Sequence, residues 1–196
     1  MSRHLLKNLI LFMVAFFALS SQSQALILLE PYLGYKMGSG ENSLSSKTEY
    51  DFDTLAYGAR LGVKSLGFSL GLDYSLASGE WETKSSASTS KDDRDQKSLG
   101  AFIGYELPAF FRVWGTYFFE TEFEDTTGAD SGDTLSGSGL GLALGYTGLP
   151  FVSLNLEYRM FTMDERETSG VKTRLNGQNE IDYNEILLSL SVPLDL

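Results

Sequence analysis

The stretch LSGSGLGLALGYTG at 135–148 constrains the fold more than any other. From Gly139 onward every second residue is Gly or Ala (Gly139, Gly141, Ala143, Gly145), and between them stand Leu140, Leu142, Leu144 and Tyr146. Glycine is costly inside a helix, so the segment does not read as one. Alternate side chains of a strand point to opposite faces. As a strand, 135–148 has one apolar face and one nearly empty face.

The same period of two recurs along the chain. In GFSLGLDYSLA (67–77), Phe68, Leu70, Leu72, Tyr74 and Leu76 oppose Ser69, Gly71, Asp73 and Ser75. In VSLNLEYRM (152–160), Val152, Leu154, Leu156, Tyr158 and Met160 oppose Ser153, Asn155, Glu157 and Arg159. Segments 54–64 and 98–107 follow the same rule. Eight strands are expected, at about 27–38, 52–64, 67–77, 97–107, 111–123, 135–147, 151–163 and 182–193. The connections after strands 2, 4 and 6 are short turns. Those after strands 1, 3, 5 and 7 are long and polar: SGENSLSSKTEYD, SGEWETKSSASTSKDDRDQ, EDTTGADSGD and DERETSGVKTRLNGQNEI. Alternating short and long connections fit an antiparallel meander whose two ends face different surroundings.

A closed eight-stranded barrel has an interior just wide enough for its own side chains. Gly and Ala on the inner face make room for longer neighbours, and Leu and Tyr face lipid. The fold expected is therefore all-β: an eight-stranded antiparallel up-and-down transmembrane β-barrel. A soluble lipocalin-like barrel or a sandwich would turn the apolar face inward. The other face decides between them. It carries Glu30, Lys36, Arg60, Lys64, Asp73, Glu106, Arg112, Glu120, Glu157, Arg159 and Glu185 among glycines. Glycine weakens a solvated strand face, whereas charges of both signs among glycines suit a packed interior of ion pairs. With Tyr32, Phe102, Trp114 and Phe118 also directed inward, the lumen reads as plugged. Two aromatic girdles are expected: Phe68, Tyr105, Phe110, Phe111, Tyr146 and Phe151 by the short turns, and Tyr50, Tyr74, Trp81, Phe119 and Phe123 by the long loops.

The chain starts with Arg3 and Lys7, an unbroken apolar run over 9–19, then Ser23-Gln24-Ala25. This is the pattern of a secretory signal peptide, and the run is short for a membrane-spanning helix. Residues 1–25 are read as that signal and 26–196 as the barrel domain. The absence of cysteine removes any disulfide framework. The formal net charge of −11 disfavours nucleic acid, whose phosphates need Lys and Arg.

At the other end, EILLSLSVPLDL (185–196) alternates Ile186, Leu188, Leu190, Val192, Leu194 and Leu196 to the last residue. With the signal peptide, the eight alternating strands and the long loops on one side, the chain resembles the small OmpA/OmpX/OmpW-type outer-membrane β-barrels. The resemblance implies location in the bacterial outer membrane, contact with outer-membrane lipid and lipopolysaccharide, and delivery to the barrel-assembly machinery through the C-terminal strand. It implies a monomer with no cofactor. The family usually ends in an aromatic residue, where this chain has Leu196, and Pro193 stands in the closing strand.

Enzymes among outer-membrane barrels generally place a His beside a Ser, Asp or Glu. Here the single histidine, His4, lies inside the expected signal peptide, which leaves no usual general base. Glu120, Glu122 and Glu124 read as a charged rim. In the third long loop Asp125, Asp130 and Asp133 are weak candidates for divalent-cation ligands, although their spacing is not that of an EF-hand. The second and fourth long loops mix charge signs and read as mobile. The sequence thus points to a non-enzymatic barrel that supports the envelope and displays four acidic loops for adhesion or surface contact. A narrow channel for small or apolar solutes is the alternative, and a carboxylate-based envelope enzyme the remote one.

Overall fold

The structure, a computed structural model, describes residues 25–42, 48–85, 88–127 and 131–196. The expected signal peptide lies, but for Ala25, outside the described residues. Among these, no helix is long and apolar enough to cross a membrane, and the fold is built from strands. They are β1 (Leu26–Asn42), β2 (Glu49–Ser65), β3 (Phe68–Lys84), β4 (Thr89–Leu107), β5 (Phe111–Asp125), β6 (Thr134–Tyr146), β7 (Ser153–Thr168), β8 (Val171–Arg174), β9 (Ile181–Ser191) and β10 (Leu194–Asp195).

Each of β1 to β7 pairs antiparallel with the next long strand, and β9 pairs with both β7 and β1. The sheet therefore closes on itself as an eight-stranded barrel. β8 is a short flap on β7. Pro193 interrupts the closing strand, which resumes as β10 opposite Leu28 and Leu29 of β1. Closure pairs each of the eight long strands on both sides, which a bilayer requires of a sheet within it. Outside stand exposed Leu33, Leu55, Leu61, Leu72, Ile103, Leu142 and Leu188. An apolar surface of that extent is untenable in water and fits lipid.

The empty inner face also has its explanation. A β-carbon on Gly38 would overlap the Tyr183 hydroxyl, and one on Gly145 would sit 2.7 Å from both the Arg112 Nε and the Asn155 Oδ1. At these positions the large inward side chains of the neighbouring strands lie over a glycine, in space that a β-carbon would occupy.

Three expectations are corrected. First, the strands run further at the loop end than the alternation shows. β4 has 19 residues and begins at Thr89, inside the segment read as a mobile loop. Its extension pairs with β3, from Glu80 opposite Asp93 to Lys84 opposite Thr89. Second, Glu120 is outside the barrel. Phe119 and Glu120 together face the single Ser138 of β6, a β-bulge between Phe118 and Thr121. The extra residue reverses the parity of β5: Trp114, Thr116 and Phe118 are buried before it, and Thr121, Phe123 and Asp125 after it. Third, no loop-side girdle includes Trp81 or Phe123, which are fully buried inside. The turn-side aromatics are all outward and exposed, with Phe68 against Tyr105 and Phe111 against Tyr146.

Candidate functional site: a filled lumen beneath an acidic rim

The inward side chains form three layers. Nearest the short turns lie Leu28, Phe102, Trp114 and Ala143. Above them is a charged layer, in which alternation along β1, β2, β3, β5, β7 and β9 aims side chains of both signs at the axis. At the loop end the interior turns apolar.

The charged layer centres on Arg60. Its Nε donates to Asp73 Oδ2 at 2.9 Å, its Nη2 to Glu157 Oε2 at 3.2 Å, and its Nη1 lies 3.5 Å from Glu30 Oε1. The guanidinium also stacks between the rings of Tyr32 and Trp114. Arg112 grips Glu30 with both Nη atoms and donates to Asn155 Oδ1 at 2.8 Å. Ser191 Oγ donates to the same Glu30 at 2.5 Å. Arg159 donates to Glu157 at 2.9 Å and to Glu185 at 3.2 Å. Lys36 lies 3.5 Å from Glu185 and over the Phe52 ring. Tyr32 donates its hydroxyl to Asp73 at 2.8 Å. Four acids (Glu30, Asp73, Glu157, Glu185) thus meet four bases (Lys36, Arg60, Arg112, Arg159), and the layer is electrically neutral. Unpaired charges at this depth would cost several kcal/mol each.

Lys64 and Glu106 sit elsewhere. They lie at the turn-end mouth, partly exposed, where Lys64 pairs with Glu106 at 2.5 Å and Asp195 at 2.8 Å. This pair borders a cavity of about 200 Å³ that reaches in to Trp114, Arg112 and Arg60. Beyond Arg60 the charged layer fills the barrel.

The loop-end layer packs Phe52, Trp81, Phe123, Phe161, Met163, Ile181 and Tyr183 as one cluster. Trp81 and Phe123 meet edge to face at 4.8 Å, and Tyr183 stacks on Trp81 at 5.8 Å. Arg94 lies over the Trp81 ring with Asp125 4.0 Å away. The sequence reading missed this pair because it took Arg94 for a loop residue.

Outside the same layer the strands are polar. Lys97 pairs with Glu124 at 2.7 Å and with Glu122, Lys91 with Glu80, Lys84 with Asp51, and Lys172 with Glu165. The hydrogen-bonded carboxylate beside each of these lysines holds its ammonium above the ordinary lysine value. Glu120 lies exposed on this rim. Of the three loop aspartates, Asp125 is buried and turned inward, accepting from the Thr127 N–H at 2.9 Å. Asp133 accepts from the Ser169 N–H at 3.2 Å, and Asp130 lies outside the described residues. Among the described residues no three His, Cys, Asp or Glu side chains are placed to hold a metal ion.

A closed barrel with a lipid-facing belt and a filled charged lumen is the architecture of the small eight-stranded outer-membrane proteins. No family model matches the chain, and neither does any curated protein. Solved structures do match. Ail, the attachment invasion locus protein of Yersinia pestis, solved with the heparin analogue sucrose octasulfate, is 9% identical with a TM-score of 0.54, covering 86% of this chain and 99% of that one. Neisserial surface protein A is 16% identical with a TM-score of 0.53, covering 84% and 96%. The outer-membrane protein OprG of Pseudomonas aeruginosa is 10% identical with a TM-score of 0.51, covering 88% and 96%. The shared feature is the fold.

Proposed function

We propose that this outer-membrane β-barrel is a closed, non-enzymatic barrel whose loop end is its working surface. The observation that carries this reading is the doubly filled lumen: a neutral, cross-braced charged layer stacked under an aromatic layer. Eight strands leave little space to begin with, and the cavity at the turn end stops at Arg60. The channel reading needs a passage through both layers.

The rim also bears on what the loop end would contact. Ail is solved with a polysulfated heparin analogue. This chain instead presents Glu41, Glu49, Asp51, Asp53, Asp182 and Glu120 along the outer loop-end faces of its strands. A polyanion would be repelled by such a face, so adhesion would favour a cationic partner.

The test is conductance of the refolded protein in planar bilayers, with heat-shifted gel mobility verifying the folded barrel. A verified barrel that stays silent supports the proposal. Reproducible single-channel steps would replace it with the channel reading.

A further inference from the structure

We infer that the three short turns are immersed in the leaflet at their end of the barrel and complete its hydrophobic span, rather than standing in the aqueous compartment. The inference concerns how the barrel sits in its bilayer and goes beyond the role proposed for the loop end.

The first observation is length. A transmembrane strand needs about 9–11 residues at the usual tilt. The outward apolar stretches of the turn-linked strands cover residues 55–63, 68–76, 99–107, 111–119, 140–146 and 154–160, which is seven to nine residues each. β1 and β9–β10 have no turn at this end. Their outward stretches, 27–37 and 186–196, run to eleven. The turn-linked strands stop at or below the short end of that range, and their turns carry apolar tips. Leu66, Phe110 and Phe151 are 76%, 65% and 90% exposed, with Leu149 beside them. These tips continue the lipid-facing band directly, following Val63, Leu107 and Tyr146 on the same outer surface.

The second observation is conformation. Leu66 (φ 53°), Ala109 (φ 64°), Phe110 (φ 66°) and Phe151 (φ 65°) all occupy the left-handed region. Bulky residues avoid that region, and Asn or Gly favours it. Leu66-Gly67 holds positive φ at both central positions of a two-residue hairpin turn, where Asn-Gly is the favoured pair. Water would reward a polar residue at each of these positions twice, by relieving strain and by removing exposed apolar surface. Apolar residues there are rewarded by lipid.

The third observation is that backbone groups of all three turns bond to one another or to the adjacent strand, as immersion requires of backbone in lipid. The Glu106 N–H donates to the Gly67 carbonyl at 2.8 Å, and the Thr147 N–H and hydroxyl both donate to the Phe110 carbonyl. The turns bond sideways to their neighbours and carry no charged residue between 65 and 68, 107 and 111, or 146 and 153.

The chain has no cysteine, so single cysteines report without background. Leu66→Cys, Phe110→Cys and Phe151→Cys would each be labelled with an environment-sensitive fluorophore and the protein refolded into phosphatidylcholine vesicles containing acyl-chain spin-labelled lipid. Leu142→Cys serves as a control inside the band and Lys91→Cys as one outside it. The expected result is quenching of all three tips by the acyl-chain label and protection from aqueous iodide, as at Leu142. Tips that behave like Lys91 overturn the inference while Leu142 still reports a bilayer-embedded barrel. Leu66→Asn then tests the sign, since it creates the favoured Asn-Gly turn. A lowered urea midpoint in vesicles is expected, and an unchanged or raised midpoint overturns the inference.

Discussion

The two halves of this barrel are built from the same strands in opposite ways. In the turn-end half the outside is apolar (Leu61, Leu72, Ile103, Leu142) and the inside holds Arg60, Glu157, Asp73 and Glu30. In the loop-end half the outside is polar (Asp51, Glu80, Lys97, Glu122) and the inside holds Phe52, Trp81, Phe123 and Tyr183. The switch happens along single strands: Met37 faces out and Ser39 follows it on β1, Leu55 follows Asp53 on β2, Leu99 follows Lys97 on β4. What changes at that level is the solvent outside. Lipid rewards apolar side chains on the outer face and leaves the lumen as the only place for charge. Water rewards the reverse, and the loop-end half is organised like a small soluble barrel with its own hydrophobic core.

The largest expected effects come from removing one central group from each half. Arg60→Met leaves Asp73, Glu157 and Glu30 short of a partner and costs about 3–5 kcal/mol, the range for breaking a buried ion pair. Trp81→Ala opens a cavity in the aromatic layer and costs about 3–5 kcal/mol as well. Urea titration in vesicles measures both. If the halves are separate cores, the two losses add in the double variant.

A sharper contrast follows on one strand. Leu142→Lys puts a charge on the lipid face and costs about 2–4 kcal/mol near the bilayer midplane. Ser136→Lys, on the outer face of the same strand beyond the switch, leaves the urea midpoint unchanged within error. Equal effects would place both positions in the same medium.

The smallest effect concerns the rim pairs. Lys97→Gln removes an exposed pair with Glu124, and such pairs contribute a few tenths of a kcal/mol. Its pH dependence has a definite sign. The Glu124 hydrogen bond raises the folded lysine above its ordinary value. Its small contribution is therefore complete below that ordinary value and fades as pH rises past it toward the folded one. Titration of wild type against Lys97→Gln reads the difference, which should close only at alkaline pH.

The turn-end half was legible in the sequence because period-two alternation has maximal contrast when one face is Leu and Tyr and the other Gly and charge. The balance of inward charges was legible too, but the partners were not. Arg60 meets Glu157 across 97 positions of chain, a contact fixed by register around the whole barrel. The loop-end half was read as loops because its apolar side chains point inward singly. In SGEWETK only Trp81 is large and apolar, and its alternation with Glu80 and Glu82 is too short to stand out. The bulge that turns Glu120 outward is not marked by the doublet Phe118-Phe119. One ring faces the core and the other the lipid, as alternation allows; the break comes one residue later, where Phe119 and Glu120 both face outward.

The most direct test of the inversion is a lipid-contact profile along the outer face of β4. Single cysteines at Ile103, Ala101, Leu99, Lys97, Asp95 and Asp93 would carry the same fluorophore in vesicles with acyl-chain spin-labelled lipid. The account predicts strong lipid quenching from 103 to 99 and a step to aqueous quenching at 97 that holds through 93. Lipid quenching that continues undiminished to Asp93 would contradict it.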